Sequence, residues 1–151
     1  MPLPAPRTLG RYDLVDVLGA GGMGEVYRAY DRTSGDVVAV KVLRAGREGA
    51  TAERFRREAS VHLRIAHPHV AKAYRLIDTH DGLALVLEYI DGPTLADHMK
   101  THGPLHPDDA LALFAPIVEA VAFLHGQGIL HRDIKPENVR LTRDGVPKLL
   151  D

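Results

Sequence analysis

Apolar and polar positions change period several times along the chain, and each change marks an element. From Tyr12 to Leu18, Leu14 and Leu18 alternate with polar Asp16, the period-two pattern of a half-buried strand. Alternation returns at Glu25–Tyr30 and again at Asp36–Leu43, after turns at Gly19–Gly24 and Ser34-Gly35. A helical period follows from Thr51, with Phe55, Ala59, Leu63 and Ala66 on one face, and should stop before His67-Pro68. Val70–Asp78 and Leu83–Tyr89 read as two further strands. The second is continuously apolar over Leu83–Leu87, which predicts a position buried on both faces.

Beyond residue 90 the chain turns helical. Thr94 caps a short helix to Lys100, and a longer one runs from Pro107 or Asp108 to about Gln127. Its apolar set, including Leu111, Phe114, Ile117, Val118, Val121 and Leu124, exceeds a single stripe and predicts burial on several sides. Pro116 is expected to kink it, since an interior proline costs about 3 kcal/mol. Val139–Thr142 and Pro147–Leu150 form a hairpin around Arg143-Asp144-Gly145. Strands first and helices second make this an α+β chain.

Composition narrows the function. The 151 residues carry 19 Lys+Arg against 20 Asp+Glu, so no basic excess points to nucleic acid. With no cysteine, disulfides and thiolate metal sites are excluded, which suits a cytoplasmic chain. No apolar run is expected to reach the roughly 18 residues of a membrane span. Residues 1–11, with prolines at positions 2, 4 and 6, read as a flexible Pro-rich leader.

The chemistry concentrates at His131-Arg132-Asp133-Ile134-Lys135-Pro136-Glu137-Asn138. A carboxylate, an amine and a carboxamide within this loop supply a base, a phosphate counter-charge and an oxygen ligand for a hard cation. Gly19-x-Gly21-x-x-Gly24 is ambiguous alone, because it also spells a dinucleotide fingerprint. A dinucleotide site needs a helix after the glycines and an acidic residue about 20 positions on. Here strand alternation follows at once, and Val38-Ala39-Val40-Lys41 ends the next strand.

Glycine turn, V-A-V-K strand, the R-R-E-A helix with Glu58, and H-R-D-x-K-x-x-N occur in the order of the protein-kinase family, which the chain resembles. The wording M-G-E-V-Y-R-A-Y-D and H-R-D-I-K-P-E-N is most similar to bacterial eukaryotic-like serine/threonine kinases. The resemblance implies a two-lobe fold: a five-stranded first lobe with one helix and the hinge start over 12–90, and part of a helical second lobe over 91–151. It implies transfer of the ATP γ-phosphoryl group to Ser/Thr hydroxyls of proteins, with Mg²⁺. Asp133 would be the base and Lys135 would offset charge on the moving group. Lys41, held by Glu58, would ground the α- and β-phosphates. Gly19, Ala20, Gly21, Gly22, Met23 and Gly24 would cover the phosphates, and Leu18, Val26 and Ala39 would line the nucleotide. Leu87 would stand behind the base as gatekeeper, Glu88 and Ile90 would meet its edge through the backbone, and Thr94 would lie near the ribose. Asn138 and Asp151 would ligate Mg²⁺. In this motif His131 is structural and not a base.

Arg140 stands where the family usually places an apolar residue under the adenine, and His62 replaces a small or apolar side chain near Glu58. The histidines at 98, 102 and 106 are interrupted by Gly103-Pro104 and do not read as a metal face. Because family members continue past the position of Asp151, the 151-residue chain is expected to expose an apolar face of its long helix and to be inactive as a transferase by itself. Two other functions remain: an inactive nucleotide-binding remnant or pseudokinase, and a kinase-like small-molecule phosphotransferase.

Overall fold

The computed structural model describes residues 1–21, 24–44, 46, 49–80 and 82–150. They divide into two compact units, the first formed by Met1–Arg64 with Lys72–Tyr89. The second comprises Ile65–Ala71 and the chain from Ile90 onward.

The first unit is a six-stranded antiparallel sheet in the order β1-β2-β3-β4-β6-β5. Its strands are β1 (Pro2–Leu9), β2 (Tyr12–Ala20), β3 (Gly24–Asp31), β4 (Val37–Leu43), β5 (Ala73–Thr79) and β6 (Gly82–Glu88). The helix α1 (Ala50–His62) packs on it through Phe55 and Ala59. Alternation in β4 sends Val38, Val40 and Val42 to one core cluster and Ala39 and Leu43 to another, on opposite faces of the sheet. β6 is buried on both faces between β4 and β5, as its unbroken apolar run predicts.

The Pro-rich start departs from the expected flexible leader. Residues Pro2–Leu9 form the edge strand β1, in register with β2 at Arg7–Leu14, Thr8–Asp13 and Leu9–Tyr12. Leu9 is 1% exposed and belongs to the core. The register with β2 shifts between Pro2 and Arg7, and at the start Met1 bonds Val17 through both its amine and its carbonyl. An edge strand has one row of backbone groups that need no partner, so proline is admissible there. The sheet therefore has one strand more than the five expected.

The second unit contains α2 (Leu95–His102), α3 (Pro107–Gly126), a 3₁₀ turn at Pro136–Asn138, and the hairpin β7 (Val139–Leu141) with β8 (Pro147–Leu149). Thr94 caps α2 by accepting a hydrogen bond from Asp97 N at 3.1 Å. Leu95, Ile117, Leu124, Val139 and Leu149 form its core. The segment before β5 docks on β8: Leu149 N donates to His69 O at 2.8 Å and Ala71 N to Leu149 O at 2.9 Å.

α3 runs unbroken through Pro116 and buries only one face, at Ile117, Ala120 and Leu124. Leu111 is 71% and Val118 64% exposed, so the burial on several sides predicted from composition is not found in this chain. At 20 residues α3 is long and apolar enough to cross a membrane by length and composition, contrary to the expectation that no run would be. Its packed face gives it the role of a core helix in this unit.

Candidate active site

In the second unit the H-R-D stretch is held by its own histidine. His131 Nε2 donates to Leu150 O at 2.6 Å, while Nδ1 accepts from Asp133 N at 3.1 Å. Both ring nitrogens are committed to backbone, which leaves the imidazole a structural part of the turn. Between them Arg132 adopts φ 71°, the non-glycine residue with positive φ among those described. Such a backbone costs about 1–3 kcal/mol and persists where the surroundings over-determine it.

The strained turn presents Asp133 outward, its side chain 59% exposed. Lys135 Nζ lies 3.3 Å from Asp133 Oδ2, and Asn138 Nδ2 donates to the same oxygen at 2.9 Å and to Asp133 O at 2.8 Å. Hydrogen bonding from Lys135, then from Asn138, holds the Asp133 carboxyl below the usual carboxylate range. The carboxylate stays ionised and can accept a proton. Because Asn138 turns its nitrogen to Asp133, its Oδ1 has no donor among the described residues and suits a hard cation. Asp151, the other expected metal ligand, lies outside the described residues.

In the first unit the sheet brings together the apolar residues expected to line a nucleotide. Ala39 and Leu87 are cross-strand partners in one cluster, and Leu18 and Val26 pack against it. Lys41 is paired with Val26 across β3–β4 and shares the parity of Ala39 and Leu43, so it lies on the same face. The glycine turn is closed by Gly21 N donating to Gly24 O at 2.8 Å, and Gly19 and Ala20 sit opposite Val26 and Glu25. Gly24 has a steric reason to be glycine: a Cβ there would lie 1.9 Å from Val42 O. Gly22 and Met23 lie outside the described residues.

Glu58 forms an ion pair with Arg54, one helical turn earlier, at 2.9 Å. An i,i+4 partner is always within reach on a helix surface. Arg54 is thus a residue the motif did not flag, though its spacing from Glu58 was visible.

The segment after β6 is bound within the second unit. Ile90 is buried, Thr94 Oγ1 serves the α2 cap, and Glu88, at the end of β6, accepts Lys72 N through Oε2 at 3.1 Å. Arg140 does not simply lie flat. Its Nη1 donates to Gly92 O at 2.8 Å, and Arg143 Nε reaches Asp91 Oδ2 at 2.6 Å. Gly92 tolerates no side chain, because a Cβ would meet Leu141 O at 1.8 Å. His98 and His102 stack at 4.3 Å and His106 Nδ1 caps α3, so these histidines are used locally. No metal-holding cluster occurs among the described residues.

The protein kinase domain profile matches residues 12–151. The chain belongs to the protein kinase family. It is 44% identical over 97% of its length to a protein named as a probable serine/threonine-protein kinase of Streptomyces coelicolor. It is 40% identical over 96% to the serine/threonine-protein kinase PrkC of Bacillus subtilis, and 39% identical over 97% to PknB of Mycobacterium leprae. The chain spans 23% of the length of the first two relatives and 24% of the third. Protein kinases in general use ATP and Mg²⁺.

Proposed function

We propose that the protein is a serine/threonine kinase that moves the γ-phosphoryl group of Mg-ATP to Ser/Thr hydroxyls of protein substrates in the cytoplasm. The observation that carries this is the Asp133–Lys135–Asn138 constellation: an ionised, exposed carboxylate flanked by an ammonium and a carboxamide oxygen. Asp133 accepts the proton of the attacking hydroxyl, and Lys135 offsets charge near it. Asn138 Oδ1 is the ligand for a hard cation, with Asp151 as its companion. Bound Mg-ATP supplies the phosphoryl group and the charge neutralisation. Lys41 holds the α- and β-phosphates, and backbone N–H groups of the glycine turn cover them. The apolar set Leu18, Val26, Ala39 and Leu87 receives the base, with Glu88 and Ile90 meeting its edge and Thr94 near the ribose. The names of the relatives and the intact H-R-D-x-K-x-x-N stretch support a protein acceptor.

A second reading has its own observation. Glu58, half-exposed, is engaged by Arg54 on its own helix at 2.9 Å, which supports a module that binds nucleotide without transferring phosphate. Incubating the full-length protein with labelled ATP, Mg²⁺ and either protein or small-molecule acceptors separates the possibilities. Label on Ser/Thr of protein supports the kinase. Nucleotide binding without transfer supports the second reading, and transfer confined to small molecules overturns both.

A further inference from the structure

The edge strand β1 is linked toward the glycine turn by side chains on the sheet face opposite Lys41. At its start Met1 bonds Val17 through both backbone groups, at 3.0 and 3.2 Å, just before the turn begins at Gly19. Further along, Arg7 Nη1 donates to Tyr27 OH at 3.0 Å, with the guanidinium 5.4 Å from the ring centroid. Tyr27 is only 2% exposed, and its hydroxyl in turn donates to Glu25 Oε2. Glu25 directly follows Gly24 and pairs with Ala20, so it belongs to both limbs of the turn. On the same face Arg44 Nη2 donates to Gly21 O at 3.3 Å, and Arg7, Glu25, Tyr27 and Arg44 line one open cavity.

We infer that Arg7 is a positioning residue for nucleotide binding, acting through the Arg7–Tyr27–Glu25 relay to set the glycine turn. The inference rests on the Mg-ATP reading above. The Tyr27 ring is buried and fixes where its hydroxyl sits, so the relay links β1 to the turn through a donor and an acceptor held in place. The glycines themselves provide no side chains to hold the turn, which leaves its position to the strands on either side. β1 is a second support for the β2 limb that a five-strand sheet would lack.

The test uses the full-length protein with Tyr27→Phe, which keeps the packed ring and removes the link, alongside Arg7→Ala and Arg7→Lys. Both Tyr27→Phe and Arg7→Ala are expected to raise KM for ATP about two- to tenfold with kcat changed less than about twofold. Arg7→Lys should recover part of the loss. Amide exchange without nucleotide should quicken at residues 19–24 in the first two variants, while that of β6 stays as in wild type. Unchanged KM and unchanged exchange at 19–24 in Tyr27→Phe overturn the inference. If the wild type binds no Mg-ATP, the functional reading fails, and the exchange measurement alone decides whether the relay holds the turn.

Discussion

The two groupings proposed to act in phosphoryl transfer are built in opposite ways. Asp133, Lys135 and Asn138 lie within one turn, and the structure assembles them completely from short-range bonds anchored by His131. Lys41 and Glu58 lie on different elements. The sheet register places Lys41, while α1 is seated on the sheet mainly by Phe55 and Ala59, and its Glu58 is paired with Arg54 along the same helix. A site encoded in a single turn forms with that turn. A site shared between a strand and a lightly seated helix depends on how the helix packs, and a local ion pair can capture its partner. The difference lies in what each must overcome: a turn fixes its own few dihedrals, while a helix must hold its orientation against neighbours on its own surface.

The comparison is broken most directly at Asp133. Asp133→Asn in the full-length protein should lower phosphoryl transfer by about 10²–10⁴-fold with ATP affinity little changed. A variant that keeps near-wild-type transfer would show that the assembled turn is not the base. Next are the two glycines that permit close backbone approaches, one in each unit. Gly92→Ala and Gly24→Ala should each cost about 1–3 kcal/mol in denaturant unfolding, because the added Cβ meets backbone and not a movable side chain. Unaltered midpoints would mean that these approaches relax freely.

The protonation of Asp133 gives a smaller and more selective effect. Its folded carboxyl titrates below the unfolded value of about 3.9, so its contribution to stability is full above that pH and fades as pH falls through the folded value. Lys135→Ala should move the Asp133 titration, followed by carboxyl NMR, up toward the ordinary value; Glu58→Gln should leave it in place. Movement by Glu58→Gln would couple the two pairings. The least change is expected from Arg54→Ala. An exposed i,i+4 pair contributes at most about 0.5 kcal/mol, so stability should hold within that margin while transfer is unchanged or rises through the freed Glu58. A slower reaction would give Arg54 a role of its own.

Much of the arrangement could be read from residue order. The apolar run at Asp36–Leu43 announced strand β4, and its period of two puts Val38, Val40 and Val42 on one face and Ala39 and Leu43 on the other. Leu83–Leu87 announced a strand buried on both sides, and Thr94 announced its helix cap. Other features could not be read locally. Prolines at positions 2, 4 and 6 look the same in a mobile leader and on an edge strand, and only the partner β2 distinguishes them. Arg140 reads as a misplaced charge until Gly92 O is brought within 2.8 Å of it.

Residue order alone determined the family, most sheet and helix elements, and the turn that carries Asp133, since each depends on neighbours a few positions away. Tertiary structure decided that β1 joins the sheet and that Arg140 bonds the segment at Gly92. Those outcomes depend on which groups meet across the fold. Several partners were chemically acceptable for each, and packing selected among them.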